Sequence, residues 1–188
     1  DELPGSLTQL QTGEDVLYPT QFRIGVKGHN LYVGILCRDK KGEPLNAVEL
    51  PRNDFALWRG DVVEILLETP AHSYYQIAVN PVGSLADLDR GAGLAHGPRW
   101  DSQAEIAVYV DEDSGYWSVE ARIPFTPSSQ DPLHGVIGPA PSPGQPWHFN
   151  ICRQRIRDKE GETEVSAFSP TGEKGFHNIL KFAKLLPQ

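Results

Sequence analysis

Carboxylates at short spacing are the first residues here that could do chemistry. Asp87/Asp89 and Asp111/Asp113 are i, i+2 pairs, and two neighbouring carboxyls can serve as acid and base in glycosidic cleavage. Loop oxygens from Asp39, Asp87, Asp89, Asp111 and Asp113 could also hold a structural Ca²⁺. The stretch "DEDSG", Asp111 to Gly115, reads first as a hairpin turn, because Asp and Ser bond their own backbone and Gly takes positive φ. His29, His72, His96, His134, His148 and His177 fall mostly in turns and show no metal-ligand spacing. No GxSxG, HExxH, phosphate-loop or dinucleotide glycine signature occurs, and "RGAGLAHG" opens no helix. The chain has no Met, so the soft axial ligand of a methionine-ligated haem is absent. Cys37 and Cys152 are too few for a disulfide framework; two buried thiols are the simpler reading and one long-range disulfide the alternative. A different pattern stands in "FALWRGDVVEILLE": Trp58 lies in a polar loop, and a strand follows with Glu64 on its expected wet face, opposite Val63, Ile65 and Leu67.

Strands must position these groups, because the dominant period is two. Phe22, Ile24 and Val26 alternate with Gln21, Arg23 and Lys27, and Gly28 to Asn30 turn the chain into Leu31–Arg38. "YYQIAVN" sets Ile77 and Val79 against Gln76, Ala78 and Asn80. Ile106, Val108 and Val110 face Trp117, Val119, Ala121 and Ile123 across a hairpin, and "WHFNICRQR" and "NILKFAKLL" read as two further strands. Trp100, Trp117 and Trp147 belong to these patterns and read as packing residues. No segment of helical length carries an apolar stripe. The expected fold class is all-β: an antiparallel two-sheet β-sandwich, jelly-roll or immunoglobulin-like, of roughly eight to ten strands. Residues 1–188 read as one domain, and 124–146, rich in proline, as a surface loop excursion.

With 17 basic and 25 acidic residues among 188, the net charge is −8, which argues against nucleic-acid and membrane-surface partners. No apolar run approaches bilayer-spanning length. The lack of any Met favours a fragment of a longer chain.

Taken in order, "LYVGILCRD … WRGDVVEILLE … YYQIAVNPVG … GYWSVEARIPF … WHFNICR … GFHNILKFAKL" resembles a carbohydrate-binding module of family 9 from about Thr20 to Leu185. The resemblance implies a slot in which two aromatic rings sandwich a sugar. Trp58 would be the first ring, Phe176 the second, and Glu64 the hydroxyl acceptor. A pyranose offers C–H groups to the rings and hydroxyls to the polar groups, where a carboxylate makes charge-assisted bonds. Three positions depart from the family pattern: Ala78 stands for an arginine, Cys152 for a glutamine, and Glu173 for a loop asparagine. Gln76, Asn80 and Arg153 are the residues that could compensate. The resemblance further implies a non-catalytic, cofactor-independent module of a secreted bacterial protein, extracellular or periplasmic, tethered to a catalytic domain. A spacer domain with a degenerate sugar site is the alternative, and a sandwich hydrolase or lyase a more distant one.

Overall fold

The computed structural model describes residues 4–93, 95–157 and 163–186. Its strands are β1 (Gly5–Ser6), β2 (Thr8–Gln9), β3 (Thr20–Lys27), β4 (Asn30–Arg38), β5 (Val62–Thr69), β6 (His72–Val79) and β7 (Leu85–Asp89), followed by β8 (Glu105–Asp111), β9 (Tyr116–Thr126), β10 (Val136–Ile137), β11 (Trp147–Arg155), β12 (Glu164–Ala167) and β13 (Ala183–Leu185). Eight of them have five residues or more, and three short 3₁₀ helices are the only helices among the described residues.

The strands form two sheets. One runs β1-β3-β4-β9-β10 with β8 also on β9; the other runs β2-β12-β11-β5-β6-β7 with β13 also on β11. Pairing is antiparallel except between β9 and β10, which run parallel. The inner faces meet through the alternation read from the sequence. Leu31, Val33 and Ile35 of β4 and Val119, Ala121 and Ile123 of β9 pack against Val63, Ile65 and Leu67 of β5 and Ile77 and Val79 of β6. Trp100, Trp117 and Trp147 are buried in the same cluster.

The outer face of the second sheet departs from the expected wet surface. Leu66, Cys152 and Ala167 lie under Leu10, Phe176 and Phe182. Val62, Ala78 and Ala86 lie under Leu57, with Leu50 and Trp58 packed against them. A strand covered on both faces reads as a near-continuous apolar run, and "VVEILL" in β5 is such a run. The expected final strand is also shorter, since Ile179–Lys181 form a 3₁₀ turn before β13. The proline-rich excursion is not wholly superficial: Val136 is fully buried, and the Trp147 indole N–H donates to the Pro139 carbonyl at 2.8 Å.

A network of ion pairs ties the end of β4 to the end of β11. Asp39 accepts from Arg153 at 2.8 Å and from Arg155 at 3.0 Å, and Arg157 reaches both Asp39 and Asp61. Burial disfavours the Asp39 charge, but hydrogen bonds from Arg155 and the Lys40 N–H, with the charges of Arg153 and Arg157, hold its carboxyl below the ordinary 3.8. A depressed carboxylate stabilises the fold fully above its unfolded value and loses that contribution as pH falls through the folded one. Removing one partner from a buried ion pair costs about 3–5 kcal/mol. Asp39→Ala is therefore expected to lose that much in urea unfolding at neutral pH. The gap from wild type should narrow as the pH falls below 3.8.

Candidate functional site

Trp58 sits in the 3₁₀ turn Phe55–Arg59, which starts where the Asp54 carboxylate accepts from the Ala56 N–H at 2.8 Å. The turn is tied to the sheet by Gln154, whose Nε2 donates to the carbonyls of Trp58 and Gly60 at 2.9 and 3.1 Å. Gly60 is required by close packing, because a Cβ there would stand 2.2 Å from the Asn46 carbonyl oxygen. The indole is half-buried, and its N–H donates to Glu64 Oε1 at 2.7 Å.

Glu64 lies mid-strand on the outer face of the second sheet and is only 1 % exposed. Its Oε2 accepts from Gln76 Nε2 at 2.6 Å. Burial raises its pKa above 4.5, opposed by the bonds from Trp58 and Gln76 and by the charge of Arg90. Directly across it stand Ala78 on β6 and Cys152 on β11. Two of the three positions that depart from the family pattern thus flank the carboxylate, and Trp58 and Gln76 supply the donors. Gln76 is buried, and its Oε1 has no hydrogen-bond partner among the described residues. That orphan acceptor beside a carboxylate is suited to an incoming hydroxyl.

The rest of the rim comes from groups the sequence reading passed over. Tyr74 is two residues from Gln76, and so on the same strand face, and its hydroxyl bonds His177 Nδ1 at 2.9 Å. Arg90 follows β7 in the glycine-rich loop, with its backbone N–H on the Tyr74 carbonyl. Its charge acts on Glu64 and Tyr74 and, after burial, helps bring His177 down to about 4. Tyr74 was legible from period two, whereas Arg90 was hidden by its "RGAG" context. Beside Trp58, Phe55 is 56 % exposed, with the two ring centroids 5.7 Å apart. A pocket of about 150 Å³ opens between Phe55, Arg90, Gly93 and Pro98.

Several expected site residues are placed elsewhere. Phe176 is 7 % exposed and packs on Leu66, Cys152 and Ala167, because that apolar patch needs a cover. It is no free-standing second ring. Arg153 faces the opposite side of its sheet and is spent on Asp39 and the carbonyls of Tyr18 and Arg38. Asn80 shares the Glu64 face, but its amide fixes a turn by bonding Val48, Val82 and Ser84. Glu173 is exposed and accepts from Asn178 Nδ2 at 3.0 Å. The calcium candidates are dispersed: Asp39 is held by arginines, Asp87 by Arg52 and the Ser102 N–H, and Asp89 by His72 and the N–H groups of Gly91 and Ala92. No metal-holding group of His, Cys, Asp and Glu occurs among the described residues. Asp111 accepts from the Ser114 N–H in the hairpin turn. Cys37 and Cys152 are buried free thiols in separate clusters, which removes the disulfide alternative.

No protein-family model matches the sequence, and no curated protein matches it. Solved structures do match in fold. A proposed carbohydrate-binding protein from Bacteroides uniformis superposes with TM-score 0.68 at 18 % identity, covering 91 % of this chain and 79 % of that one. A family 9 carbohydrate-binding module from Caldicellulosiruptor kristjanssonii, in complex with glucose, gives TM-score 0.61 at 16 % identity, covering 97 % and 83 %. The chain therefore has the β-sandwich fold of these proteins.

The Glu64 environment gives a test independent of any ligand. A carboxyl with a raised folded pKa costs stability progressively as pH rises from the unfolded value through the folded one. Glu64→Gln removes that cost, and rotating the Gln76 amide turns its orphan oxygen toward the new donor. The variant should equal or exceed wild type in thermal stability at pH 7, and its advantage should shrink as pH falls toward 4.5. A constant difference across that range would show that the Glu64 charge is not what burial opposes.

Proposed function

We propose that this chain is a non-catalytic carbohydrate-binding domain that holds one sugar ring against Trp58, over Glu64 and Gln76. The observation that carries the reading is the unpartnered Gln76 Oε1 beside the buried Glu64 carboxylate, at the foot of a half-buried indole. An aromatic face takes the C–H patch of a pyranose, and fixed polar groups orient its hydroxyls. Gln76 Oε1 accepts one hydroxyl proton. Arg90 supplies donors that Ala78 cannot, from one strand further along the sheet. Tyr74 and His177 close the side where Phe176 has sunk into the core. The two matched folds add support, since one belongs to a proposed carbohydrate-binding protein and the other to a carbohydrate-binding module in complex with glucose. Binding rather than turnover is favoured because Asp87 and Asp89, one candidate acid–base pair, are engaged by Arg52 and His72. The wider setting in this reading is a secreted bacterial protein, extracellular or periplasmic, in which the domain delivers a tethered catalytic unit to polysaccharide.

A spacer domain with a degenerate site is favoured by one observation: both Glu64 oxygens already have donors within the protein. Isothermal titration with glucose, cellobiose and xylobiose separates the two readings. On the carbohydrate-binding reading at least one binds in the micromolar to millimolar range, about −8 to −4 kcal/mol. Trp58→Ala and Arg90→Met should each weaken it about tenfold or more, near 1.4 kcal/mol. Binding unaffected by Trp58→Ala would move the sugar elsewhere, and no binding of any of the three would favour the spacer.

A further inference from the structure

The outer face of the first sheet carries a second, larger cavity. It measures about 680 Å³ and is lined by residues of β3, β4, β8 and β9, including Arg23, Tyr32, Gly34, Glu120 and Arg122. A neighbouring hollow of about 360 Å³ shares Arg23, Gly34 and Glu120, so the two form one trough. The register explains its shape. Arg23, Gly34, Glu120 and Ala107 lie side by side across four strands. Gly25, Tyr32, Arg122 and Glu105 form the next row. Gly34 leaves the centre open, since a Cβ there would meet nothing within 4 Å. At a strand spacing of about 4.8 Å the trough crosses about 14 Å of sheet.

Its walls are chemically specific. Tyr32 is 43 % exposed and presents an aromatic surface. Arg122 is held by Glu105 and by Asn30 Oδ1 at 2.7 Å. Arg23 and Glu120, by contrast, have no hydrogen-bond or ion-pair partner among the described residues. They flank Gly34 two strands apart, about 10 Å, one offering donors and the other acceptors.

We propose that this trough is a second binding site, and that its occupant is a neutral oligosaccharide chain lying across the strands. The volume falls within the range of small-molecule sites, about 300–1,000 Å³. The charged residues lining the larger cavity are two arginines and two carboxylates, so it carries no net charge to attract a charged chain. A polyhydroxyl ligand can use both the Arg23 donors and the Glu120 acceptors, while Tyr32 takes the sugar's C–H face. β4 and β9, which floor the trough, are already paired on both sides, so a β-strand partner would add at the β3 or β8 edge and not lie in the trough. Among the lining residues of the larger cavity, Tyr32 is the one exposed large apolar side chain, too little for the apolar core of a protein interface.

Titrations of cellohexaose and xylohexaose, with glucose as the probe of the Trp58 site, test this. Gly34→Val places a strand-favouring side chain in the floor, and Tyr32→Ala removes the aromatic wall. Each, with a melting temperature at or near that of wild type, should weaken at least one hexasaccharide about tenfold or more and leave glucose binding unchanged. Trp58→Ala should do the reverse, retaining a hexasaccharide site. A hexasaccharide that binds when glucose does not would support the trough and remove the Trp58 slot alone. The proposal is overturned if neither hexasaccharide binds wild type at millimolar concentration, if folded Gly34→Val binds like wild type, or if Trp58→Ala abolishes all binding. It is also overturned if wild type sediments as a dimer that Gly34→Val dissociates, which would give this face to a second copy.

Discussion

An indole N–H 2.7 Å from a carboxylate that water scarcely reaches organises the covered face of the second sheet. Leaving a buried carboxylate without donors would cost several kcal/mol, so Glu64 requires Trp58 and Gln76 to stay where they are. Trp58 in turn fixes the 3₁₀ turn that lies over Val62, Ala78 and Ala86. Gln76 satisfies Glu64 through its Nε2, which leaves its own oxygen without a donor among the described residues. The need thus passes from the carboxylate to the amide, and ends at that acceptor.

This chain of dependence accounts for the unusual residues around Glu64. Ala78 and Cys152 are small and are its direct cross-strand neighbours. A larger polar side chain at either position would compete with Gln76 for the carboxylate, and apolar small ones leave the competition settled. Cys152 also belongs to the apolar patch beneath Phe176, and burial with Glu64 nearby keeps its thiol protonated, with a pKa well above 9.0. The burial of Phe176 and the small apolar residue Cys152 beneath it are therefore parts of one arrangement, in which that half of the sheet face is core.

The strands were legible because a half-buried sheet writes its pleat into the sequence as period two, as β4 and β9 do. The sandwich followed from the need to hide two dry faces, and the matched folds agree with it. The second sheet's outer face was not legible. Alternation assigns Glu64 to the side opposite Ile65 but cannot say whether that side meets water or a returning loop. Leu66 and Cys152 were the hint, apolar residues on the supposedly wet side. Arg153 misled for a related reason. Its strand position is inward, and an inward arginine is stable only because Asp39, distant in sequence, stands opposite it at the end of β4. Arg90 was missed because contact between β7 and the Tyr74 end of β6 is a matter of register, and register is set by pairings no local pattern contains.

The two proposed sugar surfaces differ in how they are built, and the difference bears on what the domain can do. The Trp58 site is a buried-acceptor site closed on one side by Tyr74 and His177, suited to a single ring. The trough is open across four strands and suited to a chain interior. They sit on the outward faces of opposite sheets, separated by a sandwich whose inner packing alone is about 10 Å thick. One short oligosaccharide cannot occupy both, so the second site adds no avidity for a single chain end. Two sites facing away from each other instead engage separate chains, or distant parts of one long chain, where the gain depends on how closely the polymer packs. On that arrangement a matrix of aligned chains, rather than a dilute soluble oligomer, is the substrate on which both faces contribute at once.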